Sequence, residues 1–302
     1  MIRLLPTLVL VCAMGAQDEP RQDGRPPKGV RTAEDVVPTD QLASEPAPVT
    51  VTSQPGSVGS VRDAFDLPEI SEVRRYAMRQ IVTSQVRNPS PFSSQEWLPT
   101  QTLMWSVVEW FQTGQEVWYT ETLCGLKTKK VFGTRTEYPQ AFLDAVPVRE
   151  RRATMTGDGR GSMFMTEPYA QTLGIELAAP LTDPLPSAVD DPRLRDADGD
   201  GHPGVSIRIS HPLVGTGEVY VAQRSIARLE GFQEHRGRIR GVLYTKADTL
   251  RLGASRWWLM ADTPQRPHPD PAESPFLLVP ADHELDCGRL MSSLEQVFAD
   301  EG

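Results

Sequence analysis

No stretch of this 302-residue chain is apolar for long enough to span a bilayer as a helix, which takes about 20 residues. A helical transmembrane protein is therefore excluded. Histidine is scarce and scattered, with five in the chain. His283-Glu284-Leu285-Asp286-Cys287 has Cys287 where a zinc-protease helix needs its second His. No Gly-x-Ser-x-Gly elbow is present. Gly157-Asp158-Gly159-Arg160-Gly161 lacks the Lys-Ser/Thr ending of a phosphate loop and reads as a hairpin turn. Fixed-period repeats are missing, as is the β-α alternation that builds a parallel sheet. Lys and Arg number 31 against 40 Asp and Glu, a formal charge of −9. An acidic exported chain is a poor partner for nucleic acid, because phosphate attraction needs clustered Lys and Arg.

What is present begins with an export signal. Arg3 precedes an apolar stretch from Leu4 to Cys12, and Ala13-Met14-Gly15 fits a small-x-small cleavage site, giving a signal over residues 1–16. Cys12 also permits a lipoprotein reading, although Val11 suits one poorly. Residues 17–60 are rich in Pro, Asp, Glu, Gln, Ser and Thr, too polar to bury a core, and read as a disordered linker. Residues 61–302 form a single β domain. Cys124 and Cys287 survive processing, an even count in an oxidising compartment, and a disulfide between them is expected. It closes a loop of about 160 residues and is worth up to roughly 5 kcal/mol in the chain-entropy model. Two buried free thiols are the alternative. The expected location is exported: periplasmic, outer-membrane-associated or secreted.

The domain reads as mainly β, an antiparallel barrel or sandwich with a short C-terminal helix. Residues 76–86 read as a strand, or as the end of a helix that begins at Leu67. Residues 102–111 and 116–123 are the clearest strands, joined at Thr113-Gly114. The first is apolar on both faces, Leu103, Trp105 and Val107 on one and Met104, Val108 and Trp110 on the other, as a central strand requires. Further strands are expected over 130–133, 152–156, 162–166, 205–209, 218–229, 236–244, 249–252, 256–260 and 276–279. Residues 139–145 read as a helical turn and 177–195 as a long loop. Asp286 is placed to cap a closing helix with Leu290, Leu294, Val297 and Phe298 in one stripe.

One stretch points to specific chemistry: Asp196-Ala197-Asp198-Gly199-Asp200-Gly201-His202-Pro203-Gly204-Val205. Carboxylates on alternate residues of a tight loop converge, which suits calcium with its six to eight oxygen ligands. Asp196, Asp198 and Asp200 take the first, third and fifth positions of a twelve-residue calcium loop. Gly201 takes the sharp turn, and the carbonyl of His202 the seventh position. Ile207 stands at the twelfth, where a bidentate Glu or Asp belongs, so Asp190, Asp191, a distant residue or water must add oxygens. The expected affinity is weak, on the order of 10⁻⁴ to 10⁻³ M. The alternative is an Asx turn, with Asp side chains bonding their own backbone.

This loop, with Gly217-Glu218-Val219-Tyr220-Val221-Ala222-Gln223-Arg224 and Leu252-Gly253-Ala254-Ser255 after it, resembles a family of uncharacterised exported bacterial envelope proteins. The resemblance implies an exported β domain and no particular activity. The Asp-rich core is also similar to calcium loops of EF-hands, dockerins and thrombospondin type 3 repeats, and the strand layout is loosely similar to lipocalin-like barrels. Trp105, Trp110, Trp118, Trp257 and Trp258 are candidates to line an apolar cavity, or simply core. Arg224, Arg228, Arg236, Arg238 and Arg240 are a candidate surface for anionic glycans or headgroups, or a solvated face. The expected function is a non-enzymatic envelope protein with a structural calcium-type loop, binding a small apolar ligand or a surface glycan. The alternative is a hydrolase whose residues meet only in three dimensions. An enclosed apolar cavity favours the first, and an open cleft with two close carboxylates or a Ser-His pair the second.

Overall fold

The computed structural model describes residues 65, 73–88, 93–157, 159–261 and 263–299; the expected export signal and linker lie outside them. The described chain is mainly β, and of the two architectures left open it builds the barrel. Eight strands pair antiparallel in a closed circuit: β1 (Arg74–Arg87), β2 (Trp97–Thr113), β3 (Glu116–Thr128), β5 (Arg149–Thr156), β6 (Met163–Thr166), β9 (Gly215–Gln233), β10 (Ile239–Ala254) and β12 (Pro275–Ala281), which returns to β1. A ring of this number leaves an interior that side chains fill or that holds one small ligand.

The remaining strands attach to long members of the ring. β9 is 19 residues long and outruns the circuit. Its second half carries β7 (Tyr169–Leu173), and its first half carries β8 (Val205–His211), which pairs in turn with β4 (Arg135–Glu137). β11 (Gln265–Pro267) extends β1. Where β9 and β10 cross, Gly231 faces Gly241, and a Cβ on either would run into the opposite backbone, so the close approach requires glycine at both.

Three apolar clusters organise around the ring. The first fills one end of the barrel, with Trp110 at its centre against Tyr76, Tyr119 and Phe164 at ring separations of 5.3, 5.9 and 5.4 Å. The second lies beside the barrel, where Val205, Ile207 and Ile209 of β8 pack with Val219, Val221, Trp258, Leu259 and Phe142 of α1 (Gln140–Ala145). In the third, Trp105 and Val107 on the outer face of β2 are covered by Leu290 and Phe298 of the C-terminal segment. The apolar character of both β2 faces follows, since one looks into the barrel and the other lies under helices. Cys124 on β3 and Cys287 form a disulfide, Cα atoms 4.9 Å apart, that holds this cover in place.

Several local expectations change. Residues 130–133 are a tight turn, Val131 bridging Thr134 with Phe132 and Gly133 both at positive φ. Residues 256–260 form a 3-10 turn, which buries the adjacent Trp258 and Leu259 together; a strand would have sent them to opposite faces. Residues 239–254 are one strand, because Lys246, Ala247 and Asp248 keep their pairing with β9 and Asp248 meets Arg224 across it. The closing helix is two short ones, α2 (Cys287–Ser292) and α3 (Leu294–Val297), broken at Ser293. Asp286 caps the first, its carboxylate accepting from the amide of Arg289 at 2.8 Å. β7 has no counterpart in the sequence reading, because Tyr169-Ala170-Gln171-Thr172-Leu173 shows no clean alternation.

Candidate functional site

The acidic loop is built by short-range geometry. A parallel bridge joins Asp196 to Gly204, with Ala197 donating to the Gly204 carbonyl at 2.9 Å and Gly204 to that of Arg195 at 2.7 Å. Gly204 sits at positive φ, and a Cβ there would collide with the Val221 carbonyl. The loop thereby closes directly onto β9.

The three carboxylates converge, their candidate ligand oxygens all within 4.8 Å of one another. Five of the six oxygens accept hydrogen bonds from the chain. Asp196 Oδ1 accepts from the amides of Gly199 and Asp200, and Oδ2 from Gly201. Asp200 accepts from the His202 amide and the Ser206 hydroxyl, and Asp198 Oδ2 from the Ser206 amide at 2.7 Å. Asp198 Oδ1 is buried and has no partner. Burial, and then the charges of Asp200 and Asp196, push the Asp198 carboxyl above the usual carboxylate range despite the Ser206 amide. A cation bound here would meet Asp198 Oδ1 as its one unclaimed buried oxygen.

Of the residues around the three carboxylates, Ile207 and Asp191 are engaged away from the loop. Ile207 is fully buried in the second core, opposite Val219. Asp191 places both oxygens on Arg193, at 3.0 Å each. The His202 ring stacks on Tyr220 with centroids 3.8 Å apart. Sequence reasoning missed Ser206, which ties Asp198 and Asp200 to the first residues of β8.

A second candidate lies inside the barrel. Above the aromatic plug runs a belt of polar side chains brought together by strand register. Glu121 on β3 stands opposite Arg149 on β5, and Tyr119 opposite Arg151. Glu121 is fully buried, and its Oε1 accepts from Arg149 at 2.8 Å, Ser106 at 2.9 Å and Gln80 at 3.1 Å. Arg151, 6 % exposed, lays its guanidinium over the Tyr169 ring at 3.5 Å. Five buried polar atoms of the belt are without a hydrogen-bond partner: Glu121 Oε2, Arg149 Nε, Arg151 Nε and Nη2, and the Tyr119 hydroxyl. Burial raises the hydroxyls of Tyr119 and Tyr169 above the ordinary tyrosine value, with Arg151 pulling both the other way.

On the far side of the belt from the plug is a cavity of about 110 Å³. Val82, Met104, Leu126, Leu173 and Leu243 give it apolar walls, α1 contributes Phe142, and Arg149 and Tyr169 bring the belt to its surface. None of the five tryptophans considered as cavity-lining candidates is among its lining residues. Trp110 is in the plug, Trp105 lies under the C-terminal helices, Trp118 packs against Phe111, Trp258 is in the second core and Trp257 is 77 % exposed. Within the ring Trp110 fills volume in the plug, and the space is left where smaller side chains such as Val82, Ser225 and Ala227 line the interior.

The remaining candidates are dispersed. His283 precedes α2, outside the helix that a zinc-protease motif would need. Arg224 pairs with Asp248, Arg228 with Glu230 and Arg240 with Glu234, so the basic strands carry their own counter-charges. Among the described residues, no helix is long and apolar enough to cross a membrane.

Compared with protein-family models, with curated proteins and with solved structures, the chain matches none.

Proposed function

We propose that this chain is a non-enzymatic exported binding protein, in which the barrel cavity takes a small, largely apolar molecule and the acidic loop is a structural calcium staple. The observation that carries the reading is the cavity of about 110 Å³ inside a closed ring, walled mainly by apolar side chains. It is smaller than the roughly 150 Å³ apolar cavity that accepts benzene, so the ligand is compact. A mainly apolar wall with a small number of polar groups that fix orientation is the usual make-up of a small-molecule site.

The loop supports the staple reading through Asp198, whose unclaimed buried oxygen and raised pKa mark a carboxylate short of positive charge. With three carboxylates and no closing Glu, the expected calcium affinity is millimolar, suited to an extracellular or periplasmic setting. The disulfide also fits such an oxidising location, as does the resemblance to exported envelope proteins.

Two experiments test this. Hexan-1-ol, titrated into the protein and followed by amide chemical shifts, should perturb cavity residues such as Ala227 and Leu243. Ala227→Leu, which fills the space, should abolish the effect; shifts confined to the outer surface would contradict the reading. Calorimetry with millimolar calcium should give heat and a raised Tm. No heat and no shift would leave the loop as an Asx turn.

A further inference from the structure

The belt is unbalanced in a way that bears on what the cavity holds. Arg149 and Arg151 carry two formal positive charges and Glu121 one negative, leaving an excess of +1 within the barrel. Taking charge out of water is unfavourable by several kcal/mol per ion unless pairing and hydrogen bonds offset it. Here the offset is incomplete. Arg149 Nε and Arg151 Nε and Nη2 are three buried N–H donors without acceptors, against one carboxylate oxygen, Glu121 Oε2, without a donor, and the Tyr119 hydroxyl is the fifth polar atom without a partner. Native interiors rarely leave such groups together. The missing component is an acceptor with one negative charge.

The place for it is the cavity, of which Arg149 is a lining residue. Tyr169 lines it too, and Arg151 stacks on the Tyr169 ring, keeping the second positive charge close behind that wall. Met104, Leu126 and Leu243 give an apolar wall for a tail, and Thr102, Gln223, Ser225 and Thr245, among the polar residues that share the lining, carry no formal charge. A cation would meet the excess positive charge and no free wall carboxylate. A neutral hydrocarbon would leave the donors unpaired. A dianion would overshoot the charge.

We infer that the barrel cavity is a site for a compact amphipathic monoanion, a carboxylate head beside Arg149 and a short hydrocarbon tail against Met104, Leu126 and Leu243. This deepens the binding reading above and rests on it. Arg149 supplies the guanidinium on the wall, and Arg151, whose Nη1 donates to the Glu150 carbonyl at 3.0 Å, adds positive charge behind it. Charge-assisted hydrogen bonds of guanidinium to carboxylate are about twice as strong as neutral ones, so the head dominates discrimination.

The test compares three probes of one tail length on the intact protein: hexanoate, hexan-1-ol and hexylammonium, each titrated by calorimetry and amide shifts at neutral pH. Hexanoate should bind at least about tenfold tighter than hexan-1-ol, and hexylammonium should not bind. Arg151→Met should bring the hexanoate-to-hexanol ratio close to one, and Arg151→Lys should restore part of it. The wild-type ratio decides the matter even where the Met variant fails to fold. Equal affinity for acid and alcohol overturns the anion inference and leaves the cavity reading standing. Binding of neither probe, with ordered water alone in the cavity, overturns both.

Discussion

The acidic loop and the barrel belt are both clusters of charged side chains, and they solve the problem of charge in opposite ways. In the loop, partners lie two to eight residues away, five of six carboxylate oxygens accept from nearby donors, and Asp196 and Asp200 are exposed. In the belt, Gln80, Ser106, Glu121 and Arg149 arrive from four strands, and five buried atoms stay unsatisfied. A cluster closed on itself at the surface orders a turn. A cluster left open in an interior awaits something else. The first is the signature of a structural element and the second of a binding site.

The sharpest way to break this contrast is to remove one charge from each side. Glu121→Gln leaves two buried guanidinium groups without a counter-charge and should cost about 3–5 kcal/mol, read by urea denaturation. Asp196→Asn at the exposed loop should cost less than about 1 kcal/mol. A reversed order would mean that the loop, not the belt, holds the electrostatic weight of the fold.

Next in size is the staple between β3 and the C-terminal helices. Replacing Cys124 and Cys287 together with Ser should cost about 2–4 kcal/mol. It should also raise hydrogen exchange first at α2 and α3, which cover Trp105. Gly204→Ala should cost about 2–3 kcal/mol, because the left-handed backbone and the Val221 carbonyl both oppose a Cβ. Exchange should rise at the start of β8 while the plug around Trp110 stays protected.

Near neutral pH the belt tyrosines are silent; in alkali they are not. Tyr119 and Tyr169 have raised folded-state pKa values. Their contribution is therefore fully present below the ordinary tyrosine value of about 10 and is lost as pH rises through and beyond it. Absorbance of tyrosinate should show these two ionising only together with unfolding, whereas surface tyrosines titrate reversibly first.

The smallest effect belongs to Asp198. Its raised pKa means that, without a cation, its contribution is best when protonated and falls as pH rises through the carboxylate range. Asp198→Asn should therefore be neutral or slightly stabilising at pH 7 in a chelator, and should remove most of the Tm gain from calcium. An identical change in both conditions would show that the loop is a bare turn.

How much of this was legible in the sequence follows from how local each feature is. The hairpin of β5 and β6, the alternation of Val205, Ile207 and Ile209, the cap at Asp286 and the convergence of Asp196, Asp198 and Asp200 depend on neighbours a few residues apart. The two-sided apolar pattern of β2 also read correctly as a central strand. Closure of the ring did not show, because it depends on β12 pairing with both β1 and β10. Nor did the belt. Glu121, Arg149 and Arg151 look like ordinary solvated charges on alternating strands, and only strand register turns them inward. Tryptophan drew attention as a cavity former by its size, and that same size makes it filler here.

The most direct measurement is native mass spectrometry of the protein purified from its own host. The account predicts the folded chain carrying a non-covalent organic acid of low mass, lost when Arg149 and Arg151 are both replaced by Met, with calcium as a separate, chelator-sensitive increment. Folded protein whose mass is that of the polypeptide alone, or of polypeptide plus calcium only, would contradict the claim that the barrel's excess positive charge is there to hold a ligand.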